Sequence, residues 1–193
     1  MSEAKFEILP GLSGSGPPAI PFPATNLGFS EGFVVRFIPS SSVEWTGNFQ
    51  RGETRYSNVH MHPDKRRIIV VAGGADYLIN PNNKSVEGHT SEYISFSHET
   101  REPNVVVFGD YIRFWAEGKD GRKWTTPRLS WDGINVKSVL DGVLTAMCYS
   151  VIDEAWHEIM VDMASGHVTG FSFDSDLRGV KQVIVRDRTH KSD

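Results

Sequence analysis

From Phe33 onward the chain is cut into apolar runs of four to seven residues, each closed by turn-forming residues. Runs this short cannot give a helix enough turns to bury one face, and their β-branched and aromatic content favours extended backbone. Residues 33–38 (Phe-Val-Val-Arg-Phe-Ile) end at Pro39 and read as a strand. Residues 68–71 stop at Ala72-Gly73-Gly74, and 77–80 follow before Pro81-Asn82-Asn83. Residues 105–108 stop at Gly109-Asp110, and 111–115 follow before Lys119-Asp120-Gly121. Each pair reads as strand, tight turn, strand, because glycine and aspartate supply the backbone angles a hairpin turn demands. A looser third pair joins 143–149 to 158–162, which continues through Gly166 into His167-Val168-Thr169. Residues 180–185 (Val-Lys-Gln-Val-Ile-Val) add a strand that closes or extends a sheet. A helix has two candidate places, residues 134–144 and the turn at 153–156, and Gly142 weighs against the first.

The fold class that follows is all-β: consecutive antiparallel meanders, propeller-like as a partial or small ring, or two packed sheets. Three copies of the strand-turn-strand unit recur at offsets of 34 residues (Tyr77 to Tyr111) and 48 residues (Tyr111 to Ile159). A propeller blade repeats at about 40–50 residues, so residues 33–193 read as a single β domain with about three blade-like repeats. Residues 1–32 differ: five prolines and five glycines fall there. Proline removes backbone donors and glycine raises the entropy cost of ordering, so this stretch reads as an irregular arm. Phe22, Leu27 and Phe29 are apolar enough to pin it to a folded body.

An apolar fraction of 39% with 23% charged residues belongs to a folded domain and not to a disordered chain. A formal net charge of −4 and a single dense basic run, Lys65-Arg66-Arg67 in a turn, argue against nucleic acid as a partner. The lone cysteine, Cys148, sits in an apolar run and cannot form an intramolecular disulfide, so it reads as a buried small hydrophobe. The opening residues lack the basic and apolar regions of a signal peptide, and no apolar stretch approaches the ~20 residues of a membrane span. The expectation is a cytoplasmic protein without a membrane segment.

His60-Met61-His62 is the metal-like pattern, since residues two apart on a strand project from one face. A catalytic zinc site needs a third ligand, which His89, His98, His157, Asp64 or Asp76 would have to supply through the fold. The competing reading makes both histidines structural, on the approach to the Pro63-Asp64 turn. The glycine pairs and triplets lack the strand-to-helix context of phosphate loops and read as turns, and no cofactor is implied. Carboxylate pairs (Asp110 with Glu117, Asp153 with Glu154, Asp174 with Asp176) fall in turns, where aspartate bonds its own backbone. Three of the five tryptophans lie between residues 115 and 131, a block suited to a core or to a binding face. The candidate binding residues there are Trp124, Arg128, Trp131 and Asp132.

Gly47-Asn48-Phe49-Gln50, then Val70-Val71-Ala72-Gly73-Gly74, then Trp124-Thr125-Thr126-Pro127-Arg128-Leu129-Ser130-Trp131-Asp132-Gly133 occur in that order. This series resembles a group of small uncharacterised bacterial proteins that share a Trp-x-Thr … Arg-Leu-Ser-Trp-Asp-Gly segment and propeller-like repeats. The resemblance implies an architecture and a bacterial context, and carries no mechanism. The functional expectation is a small non-enzymatic binding protein, immunity-type or accessory, that docks a protein partner. The alternatives are a metal-dependent hydrolase using His60 and His62, and a β module that senses a small ligand.

Overall fold

The computed structural model describes residues 5–24, 30–39, 41–88, 91, 93–131 and 133–174. Among these residues lie sixteen strands, with strand at 51%, which establishes the all-β class. The strands form four sheets of four. The first holds β1 (Lys5–Ile8), β2 (Ile20–Phe22), β3 (Phe33–Ile38) and β4 (Trp45–Phe49) in the order β1-β3-β4-β2. The second holds β5 (Asn58–Met61), β6 (Ile68–Ala72), β7 (Ala75–Asn80) and β8 (Ser85–Gly88). The third holds β9 (Phe96–Thr100), β10 (Val105–Gly109), β11 (Phe114–Gly118) and β12 (Gly121–Thr125). The fourth holds β13 (Ile134–Leu140), β14 (Val143–Tyr149), β15 (Trp156–Asp162) and β16 (Val168–Gly170). The last three sheets follow chain order, the four-strand meander of a propeller blade. Each strand pair read from the sequence falls in a different one of them.

Three local expectations differ from what the backbone does. Residues 5–8 and 20–22, expected to be irregular, form the two edges of the first sheet. An edge strand bonds on one side only, so Pro21 costs β2 no ladder bond, and β2 runs parallel to β4 (Ile20 beside Gly47). Residues 134–144, the first of the two helix candidates, are two strands joined at Asp141-Gly142, both in the left-handed region (φ 49 and 77). That is the geometry of a two-residue hairpin turn, and it stops a helix. Residues 111–113 precede the strand rather than begin it. Asp110 Oδ1 accepts from the amides of Ile112 and Arg113 (both 2.8 Å), which holds them in a turn before β11. Residues 180–185 lie outside the described residues.

Contacts divide the chain into two compact units, Met1–Phe108 with Glu117–Gly121, and Gly109–Ala116 with Arg122–Asp193. In the first unit, buried residues of the first and second sheets share one aromatic cluster. Phe37 stacks on Trp45 at 4.3 Å between centroids, Phe22 on Phe49 at 5.0 Å, and Tyr77 meets Phe49 at 5.2 Å. The polar tips find partners: Trp45 Nε1 donates to the Pro81 carbonyl and the Tyr77 hydroxyl to the Gln50 carbonyl, both at 2.8 Å. In the second unit, β14 alternates strictly, burying Leu144, Ala146 and Cys148 against Ile159 and Val161 of β15. Burial pushes the Cys148 thiol up to about 12, so it packs as a small hydrophobe with no thiolate character near neutral pH.

Candidate functional site

Strand β5 alternates as its sequence dictates. Val59 and Met61 enter the aromatic cluster of the first unit, so Asn58 and His60 take the opposite face. There His60 Nε2 lies 2.5 Å from Ser97 Oγ of β9, and Ser97 Oγ lies 2.8 Å from the Tyr56 hydroxyl. The Ser97 amide and Asn58 Nδ2 both donate to that hydroxyl, at 3.0 and 3.2 Å. Burial, assisted by the charge of His98, lowers His60 from 6.5 to about 4, so the ring is neutral at neutral pH. Its Nδ1 lies 4.0 Å from Glu99 Oε2.

The order serine, imidazole, carboxylate is that of a nucleophile, a base and an orienting acid. The geometry does not support that use. Ser97 is 7% exposed and its hydroxyl is held by Tyr56. The separation of 4.0 Å between His60 and Glu99 exceeds a hydrogen bond. Asn58, Tyr56, Ser97 and His60 form a hydrogen-bonded relay that stops at His60, and Glu99 beyond it lies on the wall of a cavity.

That cavity has a volume of about 780 Å³ and is walled by three segments of the first unit. Strand β1 brings Lys5 and Phe6, the end of β5 and its turn bring Met61 and Lys65, and residues 99–104 bring Glu99, Arg101 and Asn104. Asp64 builds the turn. Its carboxylate accepts from the Arg66 and Arg67 amides at 2.8 and 3.1 Å and from Arg67 Nε at 2.6 Å. Burial alone would raise the Asp64 pKa; these bonds, together with His62, outweigh it and hold the group at about 2. His62 Nδ1 stands 3.0 Å from Asp64 Oδ1, so its place is inside the turn. Lys65 adopts φ 62 there and its ammonium lies 3.9 Å from Glu99 Oε1. Asn104 Nδ2 donates to the Pro63 carbonyl at 3.0 Å and ties the two turns together. Three cations, Lys5, Lys65 and Arg101, thus share the wall of this cavity with one carboxylate.

The two histidines of the metal-like pattern are engaged by different partners, Ser97 for His60 and Asp64 for His62. Among the described residues no three His, Cys, Asp or Glu side chains are grouped to hold a metal ion. Asp76 accepts from the Ser91 amide, His98 lies parallel to Phe96, and His157 pairs with Asp153 at 2.8 Å. His89 and Asp132 lie outside the described residues.

The tryptophan block divides within the second unit. Trp124 lies over Gly166, where an added Cβ would come 2.6 Å from the indole, and Trp124 Nε1 donates to the Met163 carbonyl at 3.1 Å. Arg128 and Trp131 are brought together: the guanidinium lies over Trp131 and Phe173, and it donates to the carbonyls of Ser130 and Trp131. Between them, buried Thr126 and Ser130 bond the backbone of Phe114 and Tyr149. The 124–131 segment is therefore pinned at both ends, a connector whose aromatic groups are largely spoken for. Sequence reasoning passed over Trp156, which it placed in a possible helical turn. It stands on β15, 48% exposed, opposite Tyr149 in register. The alternation of Ile159 and Val161 with Met160 and Asp162 was the available signal.

No family model matches the chain, and no curated protein matches it.

Proposed function

We propose that this is a non-enzymatic binding protein whose first unit senses a small, multiply charged anion in the cavity between β1, the Lys65 turn and residues 99–104. The observation that carries the reading is the convergence of Lys5, Lys65 and Arg101 on one concavity, in a chain whose net charge is −4. Local charge set against the overall balance, within a concave wall, focuses the potential and draws in an anion. A volume of about 780 Å³ suits a small metabolite. Glu99 sets the selectivity: it repels ligand oxygens on one side and favours a ligand that leaves a donor there.

Calorimetric titration with inorganic pyrophosphate in metal-free buffer tests this. Saturable binding that weakens with added salt is expected. Arg101→Gln and Lys65→Asn should each weaken it about tenfold, and Glu99→Gln should tighten it. Asparagine is chosen because it tolerates the positive φ of Lys65. Binding that ignores all three substitutions, or fails to saturate, would overturn the reading.

A second reading, docking of a protein partner, is favoured by β15. Trp156, Glu158, Met160 and Asp162 are all exposed along one face, and Trp156 meets Tyr149 with ring centroids at 5.5 Å. Apolar side chains alternating with carboxylates fit a partner whose apolar patch is rimmed by lysine and arginine. An immunity-type or accessory role would belong to this face. Co-purification with the product of the neighbouring gene separates the two readings. Loss on Trp156→Arg but not on Arg101→Gln supports docking through β15, and the opposite pattern assigns the partner to the cavity.

A further inference from the structure

We infer that the first unit holds a second binding site, an apolar cavity that takes a planar aromatic ligand carrying a positive charge. It shares no wall residue with the anion cavity and does not depend on it. Its volume is about 560 Å³, within the range of small-molecule sites. Phe22, Ala75, Tyr77 and Val86 make most of the floor, with Gln50, Arg51 and Glu53 at the rim.

The aromatic character of the ligand follows from what the cavity abuts. Phe22 and Tyr77 flank Phe49, at 5.0 and 5.2 Å between ring centroids, and both also line the cavity. A flat ring placed there continues an aromatic cluster that the fold has already built, at spacings such pairs prefer. Its removal from water adds the burial of the apolar face laid against that floor.

The charge follows from which rim groups are already engaged. Arg51 donates to Ser57 Oγ at 3.2 Å and to the Gly32 carbonyl at 3.3 Å, and its guanidinium lies over Phe33. The Tyr77 hydroxyl is given to the Gln50 carbonyl. Among the described residues no cation pairs with Glu53, so of the charged rim groups, beside the neutral Gln50 amide, it is the carboxylate that is left for a ligand. A ligand donor or cation beside the ring would meet it.

Benzamidine is the probe, a phenyl ring with a fixed cationic fork, and benzoate is its control, the same ring with a negative charge. Titrations of the full chain are followed through backbone amide NMR signals. Benzamidine should give saturable shifts at Gly52, Ala75 and Val86, and benzoate should bind about tenfold more weakly. Glu53→Gln, at an exposed rim position, should erase that preference. Val86→Trp, on a side chain already partly in water, should fill the cavity and abolish binding with the melting temperature retained. The proposal is overturned by the absence of saturation, by equal binding of benzoate and benzamidine, or by shifts that centre on Glu99. It is equally overturned by a folded Val86→Trp protein that still binds.

Discussion

The two units differ in where most of their aromatic residues go, although the second also buries Phe114 and Trp115. In the first, Phe22, Phe37, Trp45, Phe49 and Tyr77 close on one another between two sheets, and the cavities lie at the margins of that cluster. In the second, Trp124, Trp131 and Trp156 are each partnered locally, by a glycine, an arginine with a phenylalanine, and a tyrosine. Inward aromatics define concave sites by what they leave unfilled. Outward aromatics define surfaces by what they leave uncovered. An aromatic-rich stretch of sequence therefore does not by itself mark a binding face. The face is marked by the strand position opposite a buried residue, as Met160 stands between Ile159 and Val161.

The contrast can be broken most sharply at Phe49. Phe49→Ala removes the ring that Phe22, Phe37 and Tyr77 all contact, and should cost about 3–5 kcal/mol in urea unfolding. A loss below about 1 kcal/mol would mean that the first unit is not organised around this cluster.

A smaller effect is expected from the buried relay, and it depends on pH. The His60 pKa is lowered from 6.5 to about 4 on folding, so the unfolded chain binds the proton more readily. Stability must then fall as pH drops from 6.5 towards 4, by about 2 kcal/mol at pH 5. His60→Gln has nothing to titrate and still reaches Ser97, so it should flatten the urea midpoint between pH 7 and pH 5. Asp64, held at about 2 against 3.8, supplies stability that is present above 3.8 and lost as pH falls through 2. A slope that persists below pH 4 in the variant belongs to the aspartates held low by their hydrogen bonds, Asp64 together with Asp153 and Asp162. An unchanged slope at pH 5 would remove His60 from the account.

The smallest effect belongs to β15. Trp156→Ala should shift stability by less than about 0.5 kcal/mol, because nearly half of the indole is already in water. A loss comparable to that of Phe49→Ala would make Trp156 a packing residue and remove the reason to see β15 as a contact face.

The strands were legible where side chains alone decide them. Residues 68–71 and 105–108 are continuous β-branched or aromatic runs, and both are buried strands of the second and third sheets. The Ala72-Gly73-Gly74 turn was equally plain, and both glycines take positive φ. Less legible were positions whose role depends on distant backbone. Lys5-Phe6-Glu7-Ile8 has no neighbour in sequence that announces β3, yet its four residues pair with residues 35–38. Asp141-Gly142 was hidden because the apolar positions around it fit two periodicities at once. His60 was read with His62 because the two are adjacent on a strand. Their separation comes from Ser97, 37 residues away, and from the Asp64 turn. The cavity was the least visible feature. Lys5, Lys65 and Arg101 are ordinary surface residues in sequence, and only the pairing of β1 with β3 and the bond from Asn104 to Pro63 bring their segments to one wall.

The first sheet has a consequence for how the chain is made. Lys5 pairs with Ile38 and Ile20 with Gly47, so β1 and β2 leave the ribosome well before the strands that receive them. Phe33 and Phe49 lie closer together in the chain, and β3 with β4 forms a hairpin that can close first. Residues 5–22 are then waiting on the nascent chain and cover both open sides of that hairpin as soon as it exists. Lacking them, β3 and β4 would each present an unpaired ladder of amides and carbonyls to the next chain emerging from the same polysome.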